Sequence, residues 1–228
     1  MRTTIGDVVS RIRNLMKSVK QDAFLTDRFI YSVVLKHAAW LLKREDGAYK
    51  LIKFRSAFET LDFVDLIEVN KIEASCSGLK SDCTIKRTEL KLPIFLEGYW
   101  GPLISRVTSI DGSEELQATN PSDYTKIANS KNFKYNTTKY YWFINDYIYL
   151  PDNDWDAIMI EGICEGDTSK FKCPDCKNNI HCLPRQKQNF NVPDYLLGEL
   201  ESNVLKDMAV MVQYPVDNTP DKDNQLRS

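Results

Sequence analysis

The stretch "FKYNTTKYYWFINDYIYLP", residues 133–151, holds two runs of aromatic and aliphatic residues that meet around Asn145 and Asp146. Aromatic and β-branched side chains favour strands, because they pack well on a pleated surface. We therefore predict two aromatic strands in this stretch, joined at Asn145–Asp146.

Similar signals continue on both sides of this stretch. Alternating apolar residues occur in "FVDLIEVNKIEAS" (63–75), "CTIKRTELKLP" (83–93) and "WDAIMIEGICEG" (155–166), and "GPLISRVTSIDGSEELQAT" (101–119) predicts a hairpin that turns at Asp111–Gly112. We count about six to eight strands with turns every 8–12 residues, which is typical of an antiparallel β-sandwich or barrel-like sheet.

Two amphipathic helices are predicted before the strands. The first covers residues 4–20, with Thr4 as its cap and Asp7 completing a capping box. The second starts at Thr26 and stops near Gly47. Because the connection between them is short, we expect an antiparallel helical hairpin. The predicted apolar faces are Ile5, Val8, Val9, Ile12, Met16 and Val19 in the first helix, and Phe29, Ile30, Val33, Val34, His37, Trp40 and Leu41 in the second.

A third helix is predicted within residues 191–214, where Pro193 suits the first turn and Tyr214–Pro215 ends the pattern. Its apolar face is Leu196, Leu197, Leu200, Val204, Met208 and Met211. The sequence thus predicts an α+β fold with a helical hairpin, a central antiparallel sandwich or barrel-like sheet, and a C-terminal helix with an extended tail. We predict one structural domain divided into a hairpin (1–47), a β block (48–168), a Cys-rich loop (169–190), a helix (191–214) and a polar arm (215–228).

Composition disfavours several classes of protein. The 228 residues include 30 basic and 32 acidic side chains, a net charge of −2, whereas proteins that grip nucleic acid usually carry a clear basic excess. We find neither a signal peptide nor a run of about 18 apolar residues that would span a membrane. We therefore expect synthesis in a cytoplasm, where the six cysteines are free thiols or metal ligands.

The segment "KFKCPDCKNNIHCLP", residues 170–184, is the sharpest chemical signal in the sequence. Four side chains that bind zinc fall within ten positions: Cys173, Cys176, His181 and Cys182. Cys-x-x-Cys supplies two ligands from one tight turn, and Cys164 is a candidate fourth ligand. Cys76 and Cys83 are candidates across space. The alternatives to a structural zinc are free thiols or a disulfide formed after release from the cell.

No catalytic site emerges from the remaining residues. His37, the only histidine outside the Cys-rich segment, lies on an apolar helix face and fits a packed histidine bonded to a backbone group or a carboxylate better than a general base. The acidic "PDNDWD" (151–156) lacks the Gly and Glu of a calcium loop, and a turn with Asx hydrogen bonds explains it more simply. We name no catalytic, cofactor-binding or metal-binding residue.

Several segments resemble neck proteins of crAss-like bacteriophages, in the same order along nearly the whole chain. They are residues 4–46, beginning "TIGDVVSRIRNLMKSVK", then "SIDGSEELQATNPSDY" (109–124), "KYNTTKYYWFINDYIYLP" (134–151), "WDAIMIEGICEGD" (155–167) and "FNVPDYLLGELESNVLKDM" (190–208).

The resemblance implies a non-enzymatic structural protein of the virion neck or tail vertex. Such proteins form rings, typically of about twelve subunits, that connect the portal to the tail and surround the DNA channel. Expected partners are further copies of the chain, the portal and other neck or tail proteins, with no membrane and no specific DNA contact. Two other hypotheses stay open: a zinc-stabilised nucleic-acid-binding module that uses Cys173–Cys182, and an enzyme built from scattered acidic residues.

Overall fold

A computed structural model describes residues 3–19, 26–48, 57–79, 84–165, 168, 171 and 190–212. The chain divides into two compact units, which we call the helical unit and the barrel unit. The helical unit is Met1–Leu41, Arg185–Phe190 and Asp194–Ser228, and the barrel unit is Leu42–Pro184 and Asn191–Pro193. The predicted α+β fold class is confirmed, whereas the predicted segment boundaries stay a prediction.

The described helices are α1 (Ile5–Val19), α2 (Asp27–Gly47), α3 (Pro121–Ala128) and α4 (Asp194–Val212), with a short 3-10 helix at Phe133–Tyr135. The described strands are β1 (Glu59–Val69), β2 (Ile85–Thr88), β3 (Glu97–Gly98), β4 (Gly101–Pro102), β5 (Ile104–Ser109), β6 (Glu115–Ala118), β7 (Tyr140–Ile144), β8 (Tyr147–Pro151) and β9 (Ala157–Gly162). Sequence reasoning predicted the three long helices but not α3 or the two-residue strands β3 and β4.

Seven strands close into a barrel in the order β1-β2-β8-β7-β6-β5-β9, and β3 pairs with β4 in a separate two-stranded sheet. The barrel pairs are antiparallel except β6 with β7, which run parallel. A parallel neighbour cannot be reached through a tight turn, and α3 lies in the connection that brings β7 alongside β6. Of the two predicted sheet types, the barrel is therefore the one that forms.

The aromatic stretch forms the hairpin β7–β8, as predicted. Asn145 and Asp146 both have positive φ angles, 52° and 64°, which is the backbone of a type I′ turn. This turn matches the right-handed twist of the two strands, and Asn and Asp tolerate left-handed backbone better than other residues with side chains. The sequence around Asn145–Asp146 therefore sets the register Phe143 to Ile148.

The barrel interior is one apolar cluster made of side chains from six of the seven barrel strands, all but β2, and of three residues outside the strands. Alternation along each strand places these residues inside and their neighbours outside. The cluster is Leu61, Val64, Leu92, Phe95, Val107, Leu116, Tyr141, Ile148, Leu150, Ile158, Ile160 and Phe171. Burial, with a smaller effect of Glu115, raises the pKa of Tyr141 to about 12, so its phenol is neutral inside the barrel over the physiological pH range.

A second apolar cluster covers the outer surface of β2, β8 and β7. Helix α3 and the segment that follows β1 lie over this part of the wall, and their side chains pack against Trp142 and Tyr149. The indole Nε1 of Trp142, which is 1% exposed, donates a hydrogen bond of 3.2 Å to the backbone oxygen of Ala74. Trp142 thus ties the covering segment to the barrel wall.

The N-terminal helix begins with the predicted capping box. The Thr4 hydroxyl donates to Asp7 Oδ2 at 2.7 Å, the Thr4 backbone N–H donates to the same oxygen at 3.0 Å, and the Asp7 N–H donates back to Thr4 Oγ1 at 3.2 Å. Ile5, Val8, Val9, Ile12 and Met16 are buried, as predicted.

Helix α2 has the predicted cap, since the Phe29 N–H donates to Thr26 Oγ1 at 3.3 Å. Its predicted apolar face is partly wrong: Phe29 is 36% exposed and Trp40 is 53% exposed. The prediction is confirmed for Ile30, Val33, Val34 and Leu41, which are buried at helical spacing, and the buried stripe also includes Ala38 and Leu42, which were not predicted. In α4 the stripe Leu196, Leu200, Val204 and Met208 is buried, which confirms the prediction for these residues.

The substitution Trp142→Phe tests the link between the covering segment and the barrel. It keeps an aromatic ring but leaves the buried Ala74 carbonyl without its donor, so we expect the free energy of unfolding to fall by about 1–3 kcal/mol. Trp100→Phe is the matched control, because Trp100 is 84% exposed. Equal urea midpoints for the two variants would contradict the assignment.

The capping box predicts a pH dependence of stability. Hydrogen bonds from the Thr4 hydroxyl and then the Thr4 N–H lower the pKa of Asp7 below its ordinary 3.8. A lowered pKa stabilises the folded state above the ordinary value, and this contribution disappears as the pH falls through the folded-state pKa. The stability difference between the wild type and Asp7→Ala should therefore be constant above about pH 5 and shrink below it.

Chemical denaturation at a series of pH values measures that difference. In a Thr4→Ala background, which removes the hydroxyl donor, Asp7→Ala should change the pH dependence much less. A stability difference that grows on acidification would refute the capping role.

Candidate functional site

The most exposed aromatic feature of the described chain is the tip of the β3–β4 hairpin, formed by Tyr99 and Trp100. Strand partners Glu97 and Pro102 pair at its base, and Gly98 pairs with Gly101 next to the turn. Gly101 has a φ angle of 121°, a conformation that residues with a side chain rarely adopt. The glycine is therefore required by the turn itself.

The hairpin is rooted firmly in the barrel unit. Leu103 N donates to Leu96 O at 2.8 Å, and Leu96 N donates to Ile163 O at 2.8 Å, just past the end of β9. A side chain at Gly98 would collide with Asp46 Oδ2 at 2.6 Å and Leu103 Cδ2 at 2.8 Å. This close packing fixes the hairpin, and the partial burial there raises the pKa of Asp46.

The two aromatic rings of the tip are preorganised but uncovered. Tyr99 and Trp100 are each 84% exposed, and their rings meet edge to face with centroids 4.9 Å apart. Two adjacent aromatic side chains that are this exposed belong to an interaction surface more often than other surface residues do. Sequence reasoning missed them, although the pattern "GYWGP" (98–102), an aromatic pair between glycines, carries the signal.

A second apolar surface lies on the outside of the barrel. Phe63 and Ile67 project outward from β1 on the same side as Asp65, because residues two apart on a strand share a face. Phe63 is 51% exposed and Ile67 is 36% exposed. We call Phe63, Asp65 and Ile67 the β1 strip.

The predicted zinc ligands Cys173, Cys176, His181 and Cys182 lie outside the described residues, as does Cys83, so the zinc site stays a prediction. The two described cysteines belong to different clusters. Cys164 packs against the barrel interior, while Cys76 lies in the outer cluster with its sulfur 3.8 Å from Thr125 Oγ1. Among the described residues no group of His, Cys, Asp and Glu is arranged to hold a metal ion.

The remaining histidine is a structural residue of the helical unit. His37 Nε2 lies 2.8 Å from Asp207 Oδ2, and Lys36 Nζ lies 3.8 Å from the same oxygen. The prediction of a packed histidine bonded to a carboxylate is confirmed. The contact joins α2 to α4, and Arg11 joins α1 to α4 through Glu201 at 3.2 Å.

The acidic segment after β8 forms the predicted Asx turn. Asn153 Oδ1 accepts a hydrogen bond of 2.8 Å from the backbone N–H of Trp155. The backbone oxygens of Asp154 and Trp155 accept hydrogen bonds from Lys86 Nζ at 3.2 and 2.9 Å. These backbone oxygens bind Lys86, so the acidic segment has a structural role.

Glu59, at the start of β1, holds together both ends of the Cys-rich segment. Its Oε2 accepts a hydrogen bond of 2.6 Å from the hydroxyl of Thr168, and its Oε1 accepts one from the side-chain amide of Asn191. Thr168 precedes the segment and Asn191 follows it. One carboxylate therefore fixes the base of a segment of more than twenty residues, 169–190.

The comparison with known families decides which class of protein carries these surfaces. A family model described as phage tail ring protein 2 matches residues 7–226, which is nearly the whole chain. The chain belongs to the phage tail ring protein 2 family. None of the curated proteins matches the sequence.

Family membership confirms the resemblance to ring proteins of crAss-like phages. The phage tail ring protein is a structural component of the virion, and it functions as an oligomer in the tail. None of the helices in the described part of the chain has the length and apolar character to cross a membrane. Since a ring protein contacts other subunits, the exposed tip and the β1 strip are candidate assembly surfaces.

The Glu59 contacts predict how this ring protein responds to protease. Glu59→Ala removes both acceptors at the base of residues 169–190, so trypsin should cut faster after Lys170, Lys172 and Lys177 in the variant. Asp62→Ala is the control, because it removes an exposed carboxylate from the same strand. Identical cleavage time courses, followed by mass spectrometry, would show that Glu59 does not hold the segment.

Proposed function

We propose that this protein is a head–tail connector that forms a ring of about twelve subunits below the portal, with the DNA passing through its centre. The observation that carries the proposal is the family match over residues 7–226, which gives ring assembly and the phage tail. Beyond the family match, we propose three further features: the position next to the portal, the number of subunits and the DNA channel.

The two compact units support a connecting role. A ring subunit between the portal and the tail must contact its two neighbours in the ring and a different protein above and below it. The helical unit has a buried stripe on each of its three long helices, and the barrel unit has its own interior cluster. Because each unit packs its own apolar side chains, each can present its own surface to a different partner.

The charge balance supports a channel through which DNA moves. With 30 basic and 32 acidic side chains, the subunit carries no excess of positive charge to neutralise phosphates. Release of counterions from DNA provides most of the nonspecific affinity, and it requires clustered lysine and arginine. A near-neutral ring therefore surrounds DNA without holding it in place.

Localised cryo-EM reconstruction of the portal vertex in purified virions tests the proposal. We expect density for the seven-stranded barrel and the long helices in one ring directly below the portal, with about twelve copies. Quantitative mass spectrometry of the same particles should give a ratio of this chain to the portal protein close to one.

Absence of the chain from purified virions would overturn the proposal. So would a ring located at the far end of the tail, or a copy number well below that of the portal protein. The major capsid protein serves as the internal standard for copy number in the same measurement.

A further inference from the structure

We propose that the Cys-rich segment binds one zinc ion and that this ion holds the segment together. The ligands are Cys173, Cys176, His181 and Cys182. These four residues lie outside the described part of the chain. Their spacing in the sequence and the described residues at both ends of the segment support the site. Zinc binding is independent of where the ring lies in the virion.

The spacing of the four side chains suits a structural zinc. Zinc in such sites takes four thiolate or imidazole ligands in a tetrahedron, and Cys173 and Cys176 form the Cys-x-x-Cys pair that is common among them. His181 and Cys182 follow Cys176 after four intervening residues and complete a set of three thiols and one imidazole. Each cysteine binds as a thiolate, so binding of the ion releases three protons to the solvent.

The pair His181 and Cys182 places one requirement on the site. Neighbouring side chains of an extended strand point to opposite faces, so both can reach one ion only where the backbone bends. Asn178 and Asn179, which belong to a residue type that favours turns, come just before Ile180 and this pair. The local sequence is therefore compatible with the bend that the site requires.

Described residues hold the segment at both ends. Thr168 and Asn191 donate hydrogen bonds to the two oxygens of the Glu59 carboxylate. Phe171 is 5% exposed and packs in the barrel interior, two positions before the first ligand. Because the ends are fixed, the chain between them has less conformational entropy to lose when it binds an ion.

The segment lacks the apolar side chains for a core of its own. Between Phe171 and Phe190 its only large apolar residues are Ile180 and Leu183. Chains of fewer than about 40 residues usually need a metal ion, disulfides or a partner to form a stable structure. A reducing cytoplasm keeps thiols from forming disulfides, so a metal ion is the crosslink available there.

The described cysteines lie in packed surroundings elsewhere in the barrel unit. Cys76 is 1% exposed in the outer cluster, with its sulfur 3.8 Å from Thr125 Oγ1, and Cys164 packs against the barrel interior. The part of the chain that the structure describes contains no other group of His, Cys, Asp and Glu that could hold a metal ion. Zinc found in the protein would therefore point to the Cys-rich segment.

Metal analysis of the purified full-length chain tests the proposal. We expect one zinc ion per chain by inductively coupled plasma mass spectrometry, in protein purified under reducing conditions without a metal-affinity column. Cys176→Ser and His181→Ala should each weaken zinc binding by roughly 100-fold or more, since even the loss of a residue that only supports a ligand costs about 10–100-fold. Cys83→Ser and Cys164→Ser are the matched controls and should keep the ion.

Trypsin cleavage of the wild-type chain gives a second readout that needs no substitution. Removal of the ion with a chelator should speed cleavage after Lys172 and Lys177, and added zinc chloride should restore the slow rate. Cleavage after Lys126, which lies in α3, is the control and should not change. Glu59→Ala should keep its zinc, because Glu59 holds the base of the segment and is not a ligand.

An absence of stoichiometric zinc after reconstitution with zinc chloride under reducing conditions would overturn the proposal. So would a disulfide among the three cysteine ligands, their rapid reaction with a thiol reagent before chelation, or a chelator that leaves the cleavage rate unchanged. Loss of zinc from Cys164→Ser together with its retention in His181→Ala would overturn the ligand set. Near-ultraviolet circular dichroism equal to that of the wild type shows that a variant is folded. None of these results bears on the position of the ring.

Discussion

The closed barrel depends on strand β9, which hydrogen-bonds to β1 on one side and to β5 on the other. Gly162 takes part in both pairings, and it also lies against Phe95 and Leu103, which flank the β3–β4 hairpin. A Cβ atom at this position would lie 2.7 Å from the Phe95 ring and 2.9 Å from the backbone oxygen of Leu103. Only the absence of a side chain at Gly162 lets the Phe95 ring and the Leu103 backbone approach this closely. The hairpin is therefore held by the same junction that closes the barrel.

Closure also limits how copies of the protein can associate. An open sheet offers unpaired backbone groups at its edges, and neighbouring chains add to it as strands, whereas a closed barrel has no such edge. Contacts through the barrel wall must then use side chains or elements that protrude from it. The β3–β4 hairpin is such an element, and its geometry is fixed by Gly98 and Gly101 rather than by a partner.

The sequence was sufficient to predict the features that depend on local chemistry. Thr4 and Asp7 cap α1, Asn145 and Asp146 turn β7 into β8, and periodic apolar residues form the buried stripe of α4. It was insufficient where long-range packing decides. The parallel pairing of β6 with β7 depends on α3 covering Trp142, and no local pattern encodes that contact.

The same contrast between local sequence pattern and long-range packing applies to the candidate surfaces. Exposure is a property of the folded chain, so the sequence pattern alone did not separate the uncovered Trp100 from the buried Trp142, which also lies among aromatic residues. The spacing of the cysteines is a known pattern of metal ligands, so the sequence alone identifies them as candidates. The aromatic pair has no such pattern, and its significance follows only from the uncovered hairpin.

The carboxylate of Glu59 has a consequence for how the protein can be altered. Because Thr168 and Asn191 bind the same side chain, these two residues lie close together at the start of β1. The entropy of closing a loop grows only with the logarithm of its length, so each doubling costs about 0.6 kcal/mol. An insertion between residues 171 and 190 and outside Cys173–Cys182, such as an epitope or a fluorescent domain, is therefore expected to add little to the entropy of loop closure, and this is a position at which the virion can be labelled.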